Sequence, residues 1–213
     1  NTDDMSITKT FSMTEALNPF GTTRDDPFRS AMTYIQTHNK PVIFIVNNTG
    51  DIIAGMSSAG IYNNNGIIRH SGSITSEADG VGIYSAGGEI NLTDGTIISK
   101  GFAIYAENNT KITNTGTEVN TGDKTVAYVL KSGSGLINDQ NASIGTGSIY
   151  VYGNGTEEIV NNASSIIMTG PESMGYYLTN SESLINNADI TVACERPKLA
   201  KHNLEMRQSI AEI

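Results

Sequence analysis

A short phrase returns along this chain at intervals of about two dozen residues: a small residue, then Ile or Tyr, then usually an aromatic. The copies are Gly60-Ile61-Tyr62, Gly82-Ile83-Tyr84, Ala103-Ile104-Tyr105, Ala127-Tyr128-Val129, Ser148-Ile149-Tyr150 and Gly175-Tyr176-Tyr177. Their central residues, 61, 83, 104, 128, 149 and 176, lie 22, 21, 24, 21 and 27 positions apart. A period in this range marks a solenoid, in which each repeat forms one coil and packs only on its neighbours. That constraint fixes an architecture before any single residue is weighed.

A second phrase runs in antiphase: apolar residues, then Asn or a substitute, a small residue, then Ile or Val. Ile45-Val46-Asn47-Asn48, Ile112-Thr113-Asn114, Leu136-Ile137-Asn138, Ile159-Val160-Asn161-Asn162 and Leu184-Ile185-Asn186-Asn187 are copies. Aligning the polar corner gives Asn47, Ser71, Asp94, Asn114, Asn138, Asn161 and Asn186, at spacings of 24, 23, 20, 24, 23 and 25. About seven coils therefore fit between residues 42 and 193. Stacked coils place equivalent residues over one another, so Asn47, Asn114, Asn138, Asn161 and Asn186 are expected to form an amide ladder.

Strand alternation sets the faces. It assigns Val81 and Ile83 inward, and with them Ala59 and Ile61, Phe102 and Ile104, Val126 and Tyr128, and Met174 and Tyr176. Further strands are expected at Glu89 to Leu92 and Thr96 to Ser99, with Gly, Asn and Asp supplying the turns. Three short strands and three turns per coil make an all-β parallel β-helix. Coils about 4.8 Å apart give a rod on the order of 30 Å long. The positions after the inward residue form an expected outward aromatic stripe, Tyr62, Tyr84, Tyr105, Tyr150 and Tyr177, interrupted by Val129. Tyrosines so displayed suit a sugar or a protein partner.

Composition narrows the function classes. The chain has 213 residues, a formal net charge of -9 and a pI near 4.7, which argues against nucleic acid as a partner. Aromatic residues make up 7% and Trp is absent, so stability must come from stacking rather than from a bulky core. Cys194 is the only cysteine, which excludes an intrachain disulfide and a multi-cysteine metal site. No run of 18 apolar residues is present to span a membrane as a helix. The start at Asn1 carries no signal-peptide pattern, as expected of a fragment or processed chain.

The ends differ from the repeats. Residues 1–41 carry Met, Phe, Pro and charge, with Asp26-Pro27 expected to open a helix over about 27–37. Residues 194–213 place Leu199, Met206, Ile210 and Ile213 on one helical face. Either segment could cap the exposed edge strands of a solenoid.

Catalytic signals are sparse. Paired acids for polysaccharide cleavage could come only from Glu77 with Asp79, from Glu107, or from Glu157 with Glu158, and these do not recur as one cluster. His38, His70 and His202 are far apart in sequence. No catalytic, metal-ligating or cofactor-binding residue is assigned. Four residues before the inward position, Asp79, Lys100, Lys124 and Glu172 follow Ser57 in a turn column, where Asp79 and Lys100 are expected to pair.

Two resemblances follow from these residues. Gly82-Ile83-Tyr84, Glu89-Ile90-Asn91-Leu92-Thr93-Asp94-Gly95-Thr96-Ile97, Ala103-Ile104-Tyr105-Ala106 and the Ile-Asn-Asn phrases resemble passenger domains of large type V autotransporter adhesins, particularly of fusobacteria. This resemblance covers about residues 42–193. It implies a right-handed parallel β-helix outside the cell, attaching to a host-cell or bacterial surface protein or glycan. Pro19-Phe20 and Asp25-Asp26-Pro27-Phe28-Arg29-Ser30-Ala31-Met32 resemble a segment of multisubunit RNA polymerase β subunits, whose metal-binding aspartate motif is missing here. It implies a composite chain, not a polymerase. A carbohydrate-active β-helix, lyase or tailspike-like, is the remaining alternative.

Overall fold

The computed structural model describes residues 45–192, and every regular element in them is a strand. Coil 1 is β1 (Ile45–Asn48), β2 (Asp51–Ala54) and β3 (Ala59–Asn64). Coil 2 is β4 (Ile67–His70), β5 (Ser73–Ser76) and β6 (Val81–Ala86); coil 3 is β7 (Glu89–Leu92), β8 (Thr96–Ser99) and β9 (Phe102–Glu107). Coil 4 is β10 (Lys111–Asn114), β11 (Glu118–Thr121) and β12 (Val126–Lys131); coil 5 is β13 (Gly135–Asn138), β14 (Ala142–Ile144) and β15 (Ile149–Asn154). Coil 6 is β16 (Glu158–Asn161), β17 (Ser165–Met168) and β18 (Met174–Thr179); β19 (Ser183–Asn186) and β20 (Asp189–Val192) begin a seventh. The solenoid thus has six complete coils and two strands of the next. The expected end helices, Cys194, His38 and His202 lie outside the described residues.

Every strand pairs in parallel with its counterpart one coil away, which builds three faces. Sheet A is β1-β4-β7-β10-β13-β16-β19, and sheet C is β3-β6-β9-β12-β15-β18. Between them, sheet B runs β2-β5-β8-β11 and resumes as β14-β17-β20. The break has a local cause. Asn120 Oδ1 accepts the Ser143 N–H at 2.9 Å and Thr121 Oγ1 accepts that of Gly145 at 3.4 Å, so side chains of β11 take hydrogens that a backbone ladder would use.

The core is a narrow prism of Ile, Leu, Val and Tyr contributed by all three faces. Alternation holds on sheets A and B, where Ile68, Ile90 and Ile112 or Ile74 and Ile97 point inward. On sheet C it does not hold throughout. Gly82 and Ile83 are both buried, as are Ala103 with Ile104 and Ala127 with Tyr128. The ladder skips position 82 and its equivalents, pairing Val81 with Phe102 and then Ile83 with Ile104. Each rung therefore carries an extra inward residue, stacked in register like a repeated bulge. This corrects the expected phase. Ala59, Val81, Phe102, Val126, Ile149 and Met174 lie on the outer side of sheet C, with Phe102 39% and Met174 42% exposed.

The turn before sheet C is left-handed at Ser57, Asp79, Lys124 and Glu172, with φ of 53°, 57°, 55° and 61°. Lys100 does not join them. Only residues 100–101 connect β8 to β9, against 77–80 between β5 and β6, so Lys100 falls beside Glu77 instead. Its ammonium bonds the Glu77 carboxylate at 2.7 Å, which replaces the expected Asp79 pairing. The pair is largely solvated and contributes below about 1 kcal/mol.

Candidate functional site

Two tyrosine sets, one inside and one outside, run along the rod. The sheet C register separates them: Ile61, Ile83, Ile104, Tyr128, Val151 and Tyr176 form the inward column. Tyr62, Tyr84, Tyr105, Val129, Tyr152 and Tyr177 form the outward one. Tyr150 is therefore not in the stripe. It takes the extra inward position, held elsewhere by Gly or Ala, and is fully buried. Ala127 and Gly175 on the adjoining coils leave room for its ring, which meets Tyr128 and Tyr176 edge to face at 5.7 and 5.8 Å. Tyr152 replaces it outside.

The inner set is tied to the amide ladder. Asn114, Asn138 and Asn161 each donate Nδ2 to the Oδ1 of the next rung, Asn138, Asn161 and Asn186, at 2.9, 3.0 and 3.1 Å. The same amides reach Tyr128, Tyr150 and Tyr176 hydroxyls at 3.1, 2.9 and 3.0 Å. Burial pushes the Tyr128, Tyr150 and Tyr176 phenols up, so they stay neutral donors. The ladder does not include Asn47, which sits outward beside Arg69. Its column is Asn48, His70, Leu92, Asn114, Asn138, Asn161 and Asn186, so Leu92 breaks it into two. In the shorter piece Asn48 Nδ2 meets His70 Nδ1 at 3.0 Å, and His70 Nε2 is buried without a partner. Burial lowers the His70 pKa, against a smaller opposite effect from the Thr96 backbone. A second, exposed ladder runs from Asp139 through Asn162 to Asn187 at 2.9 Å per step; the doubled Asn-Asn letters were its signal.

The outer set is the candidate binding face. Tyr62, Tyr84 and Tyr105 stack at 5.3 and 5.1 Å with rings tilted by 8° and 12°, and Tyr152 stacks on Tyr177 at 5.5 Å. Both faces of Tyr84 are thus covered by its neighbours. The Lys131 ammonium lies 4.9 Å from the Tyr105 ring centre and donates to its hydroxyl at 2.7 Å. The Tyr84 hydroxyl donates to Glu107, a bond that pushes its pKa up to about 12. Tyr84 therefore offers a partner only its ring edge, while Tyr62, Tyr105, Tyr152 and Tyr177 each stack on one ring, beside the apolar column of Val81, Phe102, Val126, Ile149 and Met174.

The remaining candidates do not converge. Glu77 is held by Lys100 and Glu107 by Tyr84, while Glu157 and Glu158 are consecutive at the start of β16. Among the described residues no group of three His, Cys, Asp or Glu side chains could hold a metal ion. Among the described residues there is no helix long and apolar enough to cross a membrane.

No family model and no solved structure matches the chain. Curated relatives match over one short stretch. The 2-C-methyl-D-erythritol 2,4-cyclodiphosphate synthases of Acinetobacter baumannii (strain AYE) and Acinetobacter baylyi are 86% identical over 29 residues, 14% of this chain. That of Psychrobacter cryohalolentis is 71% identical over 28 residues, 13% of this chain. The matched stretch spans 18%, 18% and 17% of these enzymes' own lengths.

Proposed function

We propose that this chain is a non-catalytic β-solenoid of a bacterial surface adhesin or stalk, working outside the cell and attaching through the outer face of sheet C. The observation that carries this reading is the column of outward tyrosines beside a column of apolar residues, in register along six coils of sheet C. Its anatomy is that of an interface: an apolar centre with a polar margin, here Asn64, Glu107, Lys131, Asn154 and Thr179. The test is binding of labelled protein to cultured epithelial cells and to bacteria, with Tyr84→Ala and Tyr105→Ala as variants. Lost binding at unchanged melting temperature supports the reading. Oligosaccharides released from a polysaccharide panel would replace it with a carbohydrate-active one.

A second reading concerns the chain's make-up. A diverged domain keeps moderate identity over its whole length, whereas here 86% identity stops after 29 residues. Together with the polymerase-like residues 19–41, this favours a composite chain in which a solenoid is joined to unrelated segments. Amplification across both junctions from source DNA tests it; one contiguous product of the expected length would establish the junctions as real.

A further inference from the structure

Four turns among the described residues set Asn or Asp directly before glycine: Asn65-Gly66, Asp79-Gly80, Asp94-Gly95 and Asn154-Gly155. A glycine nitrogen has no Cβ beside it, so it is free to attack the side-chain carbonyl carbon of the preceding residue. Three of these nitrogens are held elsewhere. Gly66 donates to Asn63 Oδ1 at 3.0 Å, Gly80 to the Glu77 carbonyl at 3.0 Å, and Gly155 to the Thr179 carbonyl at 2.9 Å. Gly95 instead donates to the carboxylate of Asp94 itself at 2.8 Å, and Asp94 is exposed to water.

The stacking of coils keeps this reactive pair in place. A Cβ on Gly95 would lie 1.8 Å from the Gly72 carbonyl oxygen of the coil below, and its φ is +80°. Residue 95 must therefore be glycine. From the coil above, the Thr117 hydroxyl donates to the main-chain carbonyl of Asp94 at 2.7 Å.

We infer that Asp94 is a site of spontaneous isomerisation, where aspartate becomes isoaspartate through a cyclic imide. The Gly95 nitrogen attacks Cγ of the neutral carboxyl group. A C–N bond forms, and the carboxyl OH leaves as water with the amide proton. Water then adds to one of the two imide carbonyls. Addition at the former main-chain carbonyl breaks its bond to nitrogen and leaves the chain running through Cγ. The Thr117 hydroxyl stabilises the oxyanion of that addition, which favours isoaspartate over aspartate. One water leaves and one returns, so the change needs no oxidant and no cofactor.

The product carries one more carbon in the main chain, at a corner packed from both sides. A Cβ on Gly116 would lie 1.8 Å from the Thr93 carbonyl oxygen, so the coil above leaves no slack either. The bonds from Thr96 N–H to the Gly72 carbonyl and from Glu118 N–H to the Gly95 carbonyl, 3.0 Å each, flank the insertion. Isomerised chains should therefore melt at a lower temperature.

The test is prolonged incubation of the full chain at neutral pH and physiological temperature, folded and in urea. Peptide mapping by electron-transfer fragmentation and labelling by an isoaspartate methyltransferase locate the product. A nitrogen that must first break a hydrogen bond reacts about tenfold more slowly. The folded chain should thus form isoaspartate at residue 94 about tenfold faster than at residue 79, and in urea the two should converge. In heavy-oxygen water, which labels both ring-opened products, Thr117→Val should shift the ratio toward aspartate and Thr117→Ser should keep it. Melting temperature checks that each variant folds. Equal rates at Asp94 and Asp79 in the folded chain overturn the assignment, as does a difference that persists in urea. A ratio indifferent to Thr117→Val overturns the role of that hydroxyl.

Discussion

The two halves of the solenoid enclose the same column positions with different chemistry. In coils 2 and 3 the cross-section is aliphatic, with Ile83, Ile90, Leu92, Ile97 and Ile104 all fully buried. In coils 4 to 6, Tyr128, Tyr150 and Tyr176 enter it, and their hydroxyls close on Asn114, Asn138, Asn161 and Asn186. The coil backbone accepts either filling. One is close-packed and mainly aliphatic, with His70 Nε2 buried and unpartnered within it. The other is a hydrogen-bonded network whose members all depend on one another.

The largest expected effect breaks the network at its centre. Asn138→Ala leaves the Tyr150 hydroxyl and the flanking Asn114 and Asn161 amides short of partners, and should cost about 4 kcal/mol. Urea unfolding reads it, and a loss under about 1 kcal/mol would mean the ladder is incidental. In the aliphatic half the converse change should be mild. Leu92→Asn supplies the missing rung between His70 and Asn114, so its bonds should offset its burial to within about 1 kcal/mol. A cost of 3 kcal/mol or more would show that this half tolerates no polar filling.

Acid should separate the halves further. His70 has a lowered pKa in the folded chain, so below the ordinary value of 6.5 the unfolded chain binds the proton first. Stability is full above that pH and falls as pH drops from 6.5 toward the folded value. Hydrogen exchange of β1, β4 and β7 at pH 7.5 and pH 5 should show the loss, and His70→Leu should remove it. Exchange that accelerates equally in β13 and β16 would contradict this assignment. The smallest effect is on the outer face. Tyr84 should ionise near 12 by NMR titration, and Glu107→Gln should bring it back toward 10.

Much of this architecture was legible as period and phase. The strands at Glu89–Leu92 and Thr96–Ser99 have the expected bounds, as does the alternation of inward Ile83 and outward Tyr84. Letter pattern and spacing disagree at two places, and the structure follows the spacing. Ser148-Ile149-Tyr150 copies the phrase two residues early, giving intervals of 21 and 27; the true inward residue, Val151, gives 23 and 25. Likewise Asn47, Ser71 and Asp94 stand in the expected corner column for Asn48, His70 and Leu92, giving intervals of 24, 23 and 20 where the register has 22 throughout coils 1 to 4. The repeated bulge on sheet C left no trace in alternation, because Gly and Ala fit either face. The link between inner phenols and amides was also hidden, since residues 10 to 15 apart meet only once the coil closes.

The division of the tyrosines between core and outer face underlies the attachment surface, and nitration with peptide mapping tests it directly. Tyr62, 65% exposed, and Tyr177, 45% exposed, should be modified first, while Tyr128 and Tyr150 should stay unmodified until the protein unfolds. Nitration of Tyr150 as fast as Tyr62 would contradict the register and dissolve the face.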